Sequence, residues 1–389
     1  MEPAPLRDLR DVAWFERRLM AGVGSIHLYE GGVIAGDWDG GIQCWDLEGE
    51  SRWTAKTSNR VSAMACGGDV LYAVCGRDLT CLSLADGSIH WTKELEGSSD
   101  LVACTPDGSI VVATSSIFDL EMNDFLEATL WRFDAEGELL RKDSINERPW
   151  SLEMRDDGVA SLGLGRPRCG MVRAEADGLH HTPLPTDAPA TCGLAGRDRS
   201  VIGHADGCLT CIEEGMVLED APFAKQPGSI EALACTPQGL LVGVAIEAGP
   251  VGAGFGAGFG GASGLARAYD SDGHMRWQVE TTKGCNVEHL IDGPEVRGAD
   301  TAWIVTFDGS MANIEVRDEG EGTSLVRFEF GSRLNATASQ DNLVAIGFDD
   351  GSLFILEGDL LTRRLSENGD SELEARDSSM AARLRALRN

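Results

Sequence analysis

Lysine and positive charge are scarce in this chain of 389 residues. It has only five lysines, and its 33 Lys and Arg residues face 63 Asp and Glu residues, which gives a formal charge of −30. Such a surface repels phosphate backbones and anionic lipids, so we expect neither nucleic-acid binding nor membrane binding. An acidic, lysine-poor composition fits a halophilic, archaeal source, and it fits a GC-rich genome equally well.

Long apolar runs are also missing. Met1–Gly24 has no apolar core of a secretory signal, and no lipobox-like cysteine follows it. The uncharged stretch Ala248–Ala266 is rich in glycine, which forms helices poorly and gains little from entering lipid. We therefore expect a cytoplasmic protein with no membrane span.

Catalytic constellations do not stand out. The seven histidines are scattered, and turn chemistry explains the aspartates of the turns at Asp37, Asp39, Asp308 and Asp349–Asp350. A GxGxxG match at Gly256–Gly261 lacks the following helix that a phosphate-binding loop requires. We expect no catalytic residue, no metal and no cofactor.

Internal self-similarity is the strongest signal in the chain. Three segments share a strand-like run, a polar turn and the spacing Gly-x-x-x-Trp: Gly40–Trp53, Asp78–Trp91 and Leu265–Trp277. The repeated residues are Gly49, Trp53, Gly87, Trp91, Gly273 and Trp277. The glycine permits the positive φ of a tight hairpin, and the tryptophan can cover the gap between neighbouring sheets.

The cysteines follow the same repeat. One register position holds Cys44, Cys81 and Cys211, and a second holds Cys66, Cys104 and Cys235. Small apolar side chains that recur at fixed positions indicate packing, so we expect buried, reduced thiols.

Each hairpin is preceded by two more short alternating runs, so one unit has four antiparallel strands. The units begin near Ser25, Val61, Asp100, Trp150, Pro189, Ile230, Val287 and Leu334. Because one unit cannot bury both faces alone, the repeat predicts an all-β fold, a β-propeller of eight four-stranded antiparallel blades. Seven blades are the alternative, since the fourth and fifth units have decayed turns.

The motifs resemble the quinoprotein-type (PQQ-like) propeller repeat over about residues 25–365, and WD40 repeats are a neighbouring family. The resemblance implies a family of PQQ-dependent dehydrogenases and non-catalytic relatives such as the outer-membrane assembly lipoprotein. The adjacent cysteine pair of many quinoprotein alcohol dehydrogenases is absent, which favours the non-catalytic branch. The alternative is a quinoprotein-like or small-molecule-binding enzyme that uses the central channel.

Two segments flank the propeller of residues 25–365. We expect residues 1–24 to form a helix or a ring-closing strand. We expect residues 366–389 to form a short tail, partly helical or disordered, whose basic end contains Arg383 and Arg385.

Two insertions, 115–127 and 247–264, lie between the second and third strands of their units, so both emerge on one face. The candidate protein-binding residues are Phe118, Asp119, Glu121, Phe125, Phe255 and Phe259, with Arg383 and Arg385 of the tail. Apolar residues exposed on loops favour partner contacts. We predict a non-enzymatic protein–protein interaction scaffold, monomeric outside its complex, whose partners dock on this face.

Overall fold

The computed structural model describes residues 4–366, apart from residues 122–123, 146, 156, 165–169, 176, 185, 187, 196–198, 214–215, 219–221, 247–262 and 283. The fold is all-β, with eight four-stranded antiparallel blades in a propeller ring. The prediction of eight blades is confirmed, and the seven-blade alternative is wrong. A short helical stretch at 358–366 follows the last strand.

The N-terminal segment contributes strand β1 (Leu6–Arg7), helix α1 (Leu9–Val12) and strand β2 (Phe15–Arg18). Blade 1 contains β3 (Val23–Tyr29), β4 (Gly32–Asp37), β5 (Gly41–Trp45) and β6 (Ser51–Lys56). Blade 2 contains β7 (Val61–Gly67), β8 (Val70–Cys75), β9 (Asp78–Ser83) and β10 (Ile89–Glu94). Blade 3 contains β11 (Ser98–Cys104), β12 (Ile110–Asp119), β13 (Asp124–Asp134) and β14 (Leu139–Ile145). Blade 4 contains β15 (Pro149–Met154), β16 (Ala160–Leu164), β17 (Gly170–Ala174) and β18 (Leu179–Pro183).

The second half of the ring repeats this layout. Blade 5 contains β19 (Ala190–Ala195), β20 (Arg199–His204), β21 (Leu209–Glu213) and β22 (Met216–Val217). Blade 6 contains β23 (Ser229–Thr236), β24 (Gly239–Ile246), β25 (Ser263–Asp270) and β26 (Met275–Glu280). Blade 7 contains β27 (Val287–Val296), β28 (Ala299–Phe307), β29 (Ala312–Asp318) and β30 (Ser324–Phe330). Blade 8 contains β31 (Leu334–Gln340), β32 (Leu343–Phe348) and β33 (Ser352–Glu357).

The N-terminal segment joins the last two blades. Strand β2 pairs antiparallel with β33 and is the fourth strand of blade 8, while β1 pairs parallel with β30 at the edge of blade 7. Helix α1 places Leu9 and Val12 in one buried cluster with Leu361 and Leu365 of the C-terminal helical stretch. Both ends of the described chain therefore seal the same side of the ring.

Hydrophobic clusters fill the gaps between neighbouring blades. The cluster between blades 7 and 8 is the most extensive, and it buries Trp303 and Phe328 completely. The cluster between blades 4 and 5 is small, with Met171, Ile202 and Ile212 as its buried members. This difference matches the weaker repeat pattern of the fourth and fifth units in the sequence.

The Gly-x-x-x-Trp residues act between blades. The indole N–H of Trp53 donates to the carbonyl of Leu84 in blade 2 at 2.8 Å, and its ring packs on Gly87, which has φ of 70°. In the same way, the indole N–H of Trp91 donates to the carbonyl of Ala135 in blade 3, and the Trp91 ring packs on Gly137. Because a Cβ on these glycines would overlap the indole, each hairpin receives the tryptophan of the preceding blade.

The same arrangement recurs further round the ring. Trp277 of blade 6 donates to the carbonyl of Glu319 in blade 7 at 2.7 Å and packs on Gly322. At the ring closure the preceding blade, blade 8, packs no tryptophan on Gly49. The Phe15 ring and the Arg17 guanidinium of β2 lie against this glycine instead. Arg17 Nε donates to the Gly49 carbonyl at 2.9 Å.

A β-bulge lies near the start of the first strand in every blade. The unpaired residues are Gly24, Ser62, Asp100, Trp150, Thr191, Glu231, Glu288 and Asn335, in blade order. A bulge bends its strand and redirects a side chain. These eight residues therefore form an equivalent ring at one end of the central channel.

Candidate functional site at the channel mouth

A pocket opens at the channel end where the first strands begin. Its volume is about 420 Å³, which is within the range of about 300–1,000 Å³ of small-molecule pockets. The bulge residues Gly24, Ser62, Asp100 and Trp150 of blades 1–4 contribute to its wall. The remaining wall residues are Trp38, Arg60, Val61, Leu101, Arg148 and Pro149.

Trp38 lies in the turn between the second and third strands of blade 1, and it is half exposed. Its backbone N–H donates to the Gly22 carbonyl at 2.9 Å. The backbone N–H groups of Ala205 and Asp349 make the same bond in blades 5 and 8, to Pro189 and Arg333. A tryptophan where other units have alanine or aspartate was the sequence signal that could have revealed the pocket.

Arg148 ties the pocket to blade 3. Its guanidinium binds Asp100 Oδ1 at 3.2 Å, while Ser116 Oγ donates to Asp100 Oδ2 at 2.6 Å. The same guanidinium lies 4.7 Å from the centre of the Phe125 ring. Both carboxylate oxygens of Asp100 are thus engaged, and the pocket wall continues into the hairpin that carries Phe125.

The insertion of blade 3 is a strand hairpin. The prediction that residues 115–127 lie between the second and third strands is wrong, because β12 and β13 continue through most of this segment. The pairing runs from Ile110 opposite Asp134 to Asp119 opposite Asp124. The two strands of blade 3 therefore extend along their own direction as a paired hairpin, stabilised by contacts between side chains on facing strands.

The structure brings the four predicted hairpin residues together. Phe118 and Phe125 face one another with ring centres 5.0 Å apart in an edge-to-face arrangement. Asp119 Oδ1 accepts the backbone N–H of exposed Glu121 at 2.7 Å, which makes this carboxylate part of the turn. Phe118 keeps 42% of its surface exposed.

Several predicted binding residues lie outside the described part of the chain. These are Phe255 and Phe259 of the second insertion, with Arg383 and Arg385 of the tail. Of that insertion, Ser263 and Gly264 belong to β25, so residues 247–264 are not all inserted sequence. Strand β24 ends and β25 begins on the face where the β12–β13 hairpin turns.

Carboxylates in the turns accept backbone hydrogen bonds. Asp37 Oδ1 accepts from the N–H groups of Asp39 and Gly41 at 3.0 and 2.7 Å. Asp308 accepts from Ser310 and Met311, and these N–H groups hold the pKa of Asp308 below its ordinary value. The interpretation of these aspartates as turn residues agrees with these contacts.

Two groups of the described residues have a spacing that could hold a metal ion: Glu175, Asp177 and His180, and Asp270, Asp272 and His274. Both lie in turns between third and fourth strands, at the rim away from the channel mouth. Asp270 Oδ1 accepts the His274 backbone N–H at 2.8 Å. Asp46 and Asp134 make the same bond to Glu50 and Glu138, so this aspartate is a repeated turn feature.

The cysteines of the described chain form no disulfides with one another. Cys44, Cys81 and Cys211 are buried as predicted, and burial raises the pKa of Cys81 to about 11. Cys235 is exposed, so the expectation of burial is wrong at that position. Cys235 is the last residue but one of β23 and follows three consecutive buried residues, Ala232–Ala234.

Burial shifts the pKa of several ionisable groups that lie away from the pocket. It lowers the pKa of His27, His204 and His289, so these imidazoles stay neutral at neutral pH. Burial, followed by the neighbouring carboxylates of Glu319 and Asp300, raises the pKa of Asp292 to about 6.

Comparison with known proteins identifies the fold. No family model matches the chain, and no curated protein does either. Three solved structures superpose on 88% of it. The computationally designed Ika8 protein has a TM-score of 0.66 and 16% identity, with 98% of its chain covered. BamB from Moraxella catarrhalis has a TM-score of 0.62, 13% identity and 96% coverage, and Sqt1 from Saccharomyces cerevisiae has a TM-score of 0.64, 12% identity and 97% coverage.

These structures are propellers of three kinds. Ika8 has eight blades, BamB is PQQ-like and Sqt1 is of the WD40 type. At identities this low the likeness establishes the fold alone. The chain is therefore similar in fold to both of the propeller families that its repeat resembles. Within the described residues, none of the helices has the length and apolar character needed to cross a bilayer.

Proposed function

We propose that this protein is a non-enzymatic, cytoplasmic scaffold for protein–protein interaction. Its partners dock on the face that carries the β12–β13 hairpin, the channel-mouth pocket and the 247–264 segment. WD40-type propellers commonly bind proteins, and Sqt1 is a structural neighbour of that type. The proposal includes a monomeric state outside the complex.

Exposed apolar side chains on this face carry the proposal. On the hairpin they are Ile117, Phe118, Leu120 and Leu126, and Leu120 keeps 87% of its surface exposed. Met20 and Trp38 add to the same face from the loops of blades 8 and 1. Covering one large apolar side chain stabilises a complex by about 1.5–3 kcal/mol, so a partner that covers several gains enough for stable binding.

The enzymatic alternative has weaker support. Among the described residues, those with metal-ligand spacing lie on rim turns and not at the channel mouth. Asp100, the carboxylate of the pocket wall, has both of its oxygens engaged in contacts within the protein.

Affinity purification from the native host tests the proposal. The bait is the full chain, compared with the double variant Leu120→Ser/Leu126→Ser. We expect stoichiometric partners with the unchanged bait and their loss with the hairpin variant, because the variant removes two exposed apolar contacts.

Leu139→Ser/Leu140→Ser is the matched control. These leucines belong to the same blade, are about half exposed and lie at the opposite end of the sheet. Equal partner recovery with both variants, or no stoichiometric partner at all, would contradict the proposal.

A further inference from the structure

We propose that the channel-mouth pocket binds the side-chain carboxylate of an Asp or Glu residue in an extended segment of a partner protein. Arg60 is the group that receives it, and Trp38 contacts an apolar residue next to it. The inference rests on the scaffold function proposed above, and it specifies the chemistry of the partner.

Three arginines occupy one equivalent position in the ring. Arg60, Arg148 and Arg333 each stand directly before the residue that opens the pairing of the first strand, in blades 2, 4 and 8. The loop that carries each arginine lies beside the bulge residue of the preceding blade. That bulge residue is Gly24 for Arg60, Asp100 for Arg148 and Glu288 for Arg333.

Two of these arginines bind a carboxylate at the bulge. Arg148 binds Asp100 at 3.2 Å, and Arg333 binds both oxygens of Glu288 at 2.9 and 3.1 Å. The two arginine side chains are similarly exposed, 48% and 53%, and their acids are largely covered, 12% and 20%. Arginine with a carboxylate of the preceding blade is therefore a repeated element of this mouth.

At Arg60 the arginine of this element is present, but the carboxylate of the preceding blade is missing. Because Gly24 stands at the bulge of blade 1, the preceding blade offers no side chain, and a Cβ there would overlap the Val61 carbonyl. Within the described chain the exposed Arg60 guanidinium has neither a hydrogen bond nor an ion pair. The pocket beside it gives an external carboxylate the place that Asp100 and Glu288 fill elsewhere.

An aromatic ring accompanies each arginine. Phe125 lies 4.7 Å from the Arg148 guanidinium, and Phe307 lies 5.8 Å from that of Arg333. Beside Arg60 the pocket wall contains Trp38, which is 51% exposed. A half-exposed indole next to a free guanidinium suits an acidic residue with an apolar neighbour in sequence.

Two residues of the wall have a buried polar atom without a partner. The Trp150 indole N–H and the Ser62 hydroxyl are buried and have no hydrogen-bond partner among the described residues. Asp100 is the carboxylate of the wall, and both its oxygens are used. A cationic ligand would meet two guanidinium groups, so the wall selects an anion in spite of the net charge of −30.

Selection from a random peptide library displayed on phage tests the inference without assuming a sequence. The full chain is the target, at about 0.15 M salt, where the Debye length of about 8 Å screens long-range repulsion. We expect enrichment of peptides with Asp or Glu next to an aromatic or large aliphatic residue. Synthetic copies should bind Arg60→Gln at least about tenfold more weakly, the loss of one charged hydrogen-bond pair.

Arg77→Gln is the matched control, since Arg77 is exposed on the same face in the blade 2 turn and pairs with Glu94. It should bind the peptides like the unchanged protein. The inference would be overturned if the selection enriched basic or uncharged peptides, or if it enriched none. It would also be overturned if the peptides bound Arg60→Gln as tightly as the unchanged protein. Copies with phosphoserine for the acid that bind more than tenfold tighter would likewise overturn it, because they would assign a phosphate site.

The two proposals fail separately. Partner loss with the Leu120→Ser/Leu126→Ser bait, combined with a negative peptide selection, keeps the scaffold and removes the carboxylate pocket. Peptide binding through Arg60 with no partner in the host keeps the pocket and removes the scaffold.

Discussion

Gly87 shows how a single residue position is constrained from outside its own hairpin. Its φ of 70° is one that residues with a Cβ rarely adopt, and the Trp53 indole of blade 1 covers the place where a Cβ would be. The tryptophan spacing in the sequence predicted wedges between sheets. It did not reveal that each wedge fits the glycine of the next blade, because that contact joins residues 34 positions apart, 53 and 87.

Gly87→Ala should lower the free energy of unfolding by about 2–5 kcal/mol, the sum of a left-handed backbone penalty and an overpacking penalty. Gly309→Ala is the control, since Gly309 also has positive φ, 96°, but has no atom within 4 Å of its Cβ position. It should cost about 1–2 kcal/mol. Urea unfolding measures both, and equal losses would show that the indole does not constrain Gly87.

Asp292 gives a pH-dependent contribution to stability. Burial, with Glu319 and Asp300 nearby, raises the pKa of Asp292 to about 6, so the folded chain keeps this proton to higher pH than the unfolded chain. The stabilisation is complete below about pH 4 and is lost as the pH rises through about 6. Asp292→Asn should therefore raise stability at pH 7 by roughly 1–2 kcal/mol and have little effect at pH 4.

Thermal unfolding from pH 4 to pH 7 measures this difference. Asp69→Asn changes the net charge equally at an exposed turn and serves as the control. A gain for Asp292→Asn that is the same at pH 4 and pH 7, or that Asp69→Asn reproduces, would contradict the assignment.

Among the structural elements, β2 is the one that closes the ring. It supplies the outer strand of blade 8 from the opposite end of the chain, and Phe15 lies in a buried cluster with Leu353 and Ile355 of β33. Residues 1–24 were predicted to form a helix or a ring-closing strand, and the structure contains α1 and β2 there. Four-residue elements such as these carry too little periodicity to be assigned from sequence.

Phe15→Ala should lower the free energy of unfolding by about 3 kcal/mol and speed amide exchange in β33, because it leaves a cavity at the closure. Leu6→Ala, at a residue of β1 that is 48% exposed, should change both by little. Denaturant unfolding with hydrogen exchange checks the pair. Similar effects of the two substitutions would show that β2 is not the closing element.

The extent of sequence-based prediction differs between the elements. The eight first strands begin within two residues of the predicted unit starts, because alternating apolar runs and turn glycines repeat in every unit. The β12–β13 hairpin was interpreted as a loop, since its acidic and aromatic residues resemble a binding loop more than a strand pair. Arg60 and Trp38 were missed because their significance depends on comparison with Arg148, Arg333 and the turns of other blades.

At the scale of the whole molecule, the exposed apolar residues of the β12–β13 hairpin and the pocket lie on one face of an acidic ring. The hairpin of blade 3 and the mouth of blades 1–4 are connected through Arg148, which contacts both Phe125 and Asp100. A partner that covers the hairpin would therefore reach the pocket. The opposite face also presents exposed apolar residues, such as Ile89, Leu139 and Met275, at equivalent starts of fourth strands.

Hydrogen–deuterium exchange of the full chain, free and in a complex purified from its native host, locates the docking face most directly. We predict that the partner slows amide exchange in residues 115–127 and in the turn at residues 37–40, and leaves the turns at 135–138 and 271–274 unchanged. Protection confined to those latter turns, or no protection on either face, would contradict the docking face proposed here.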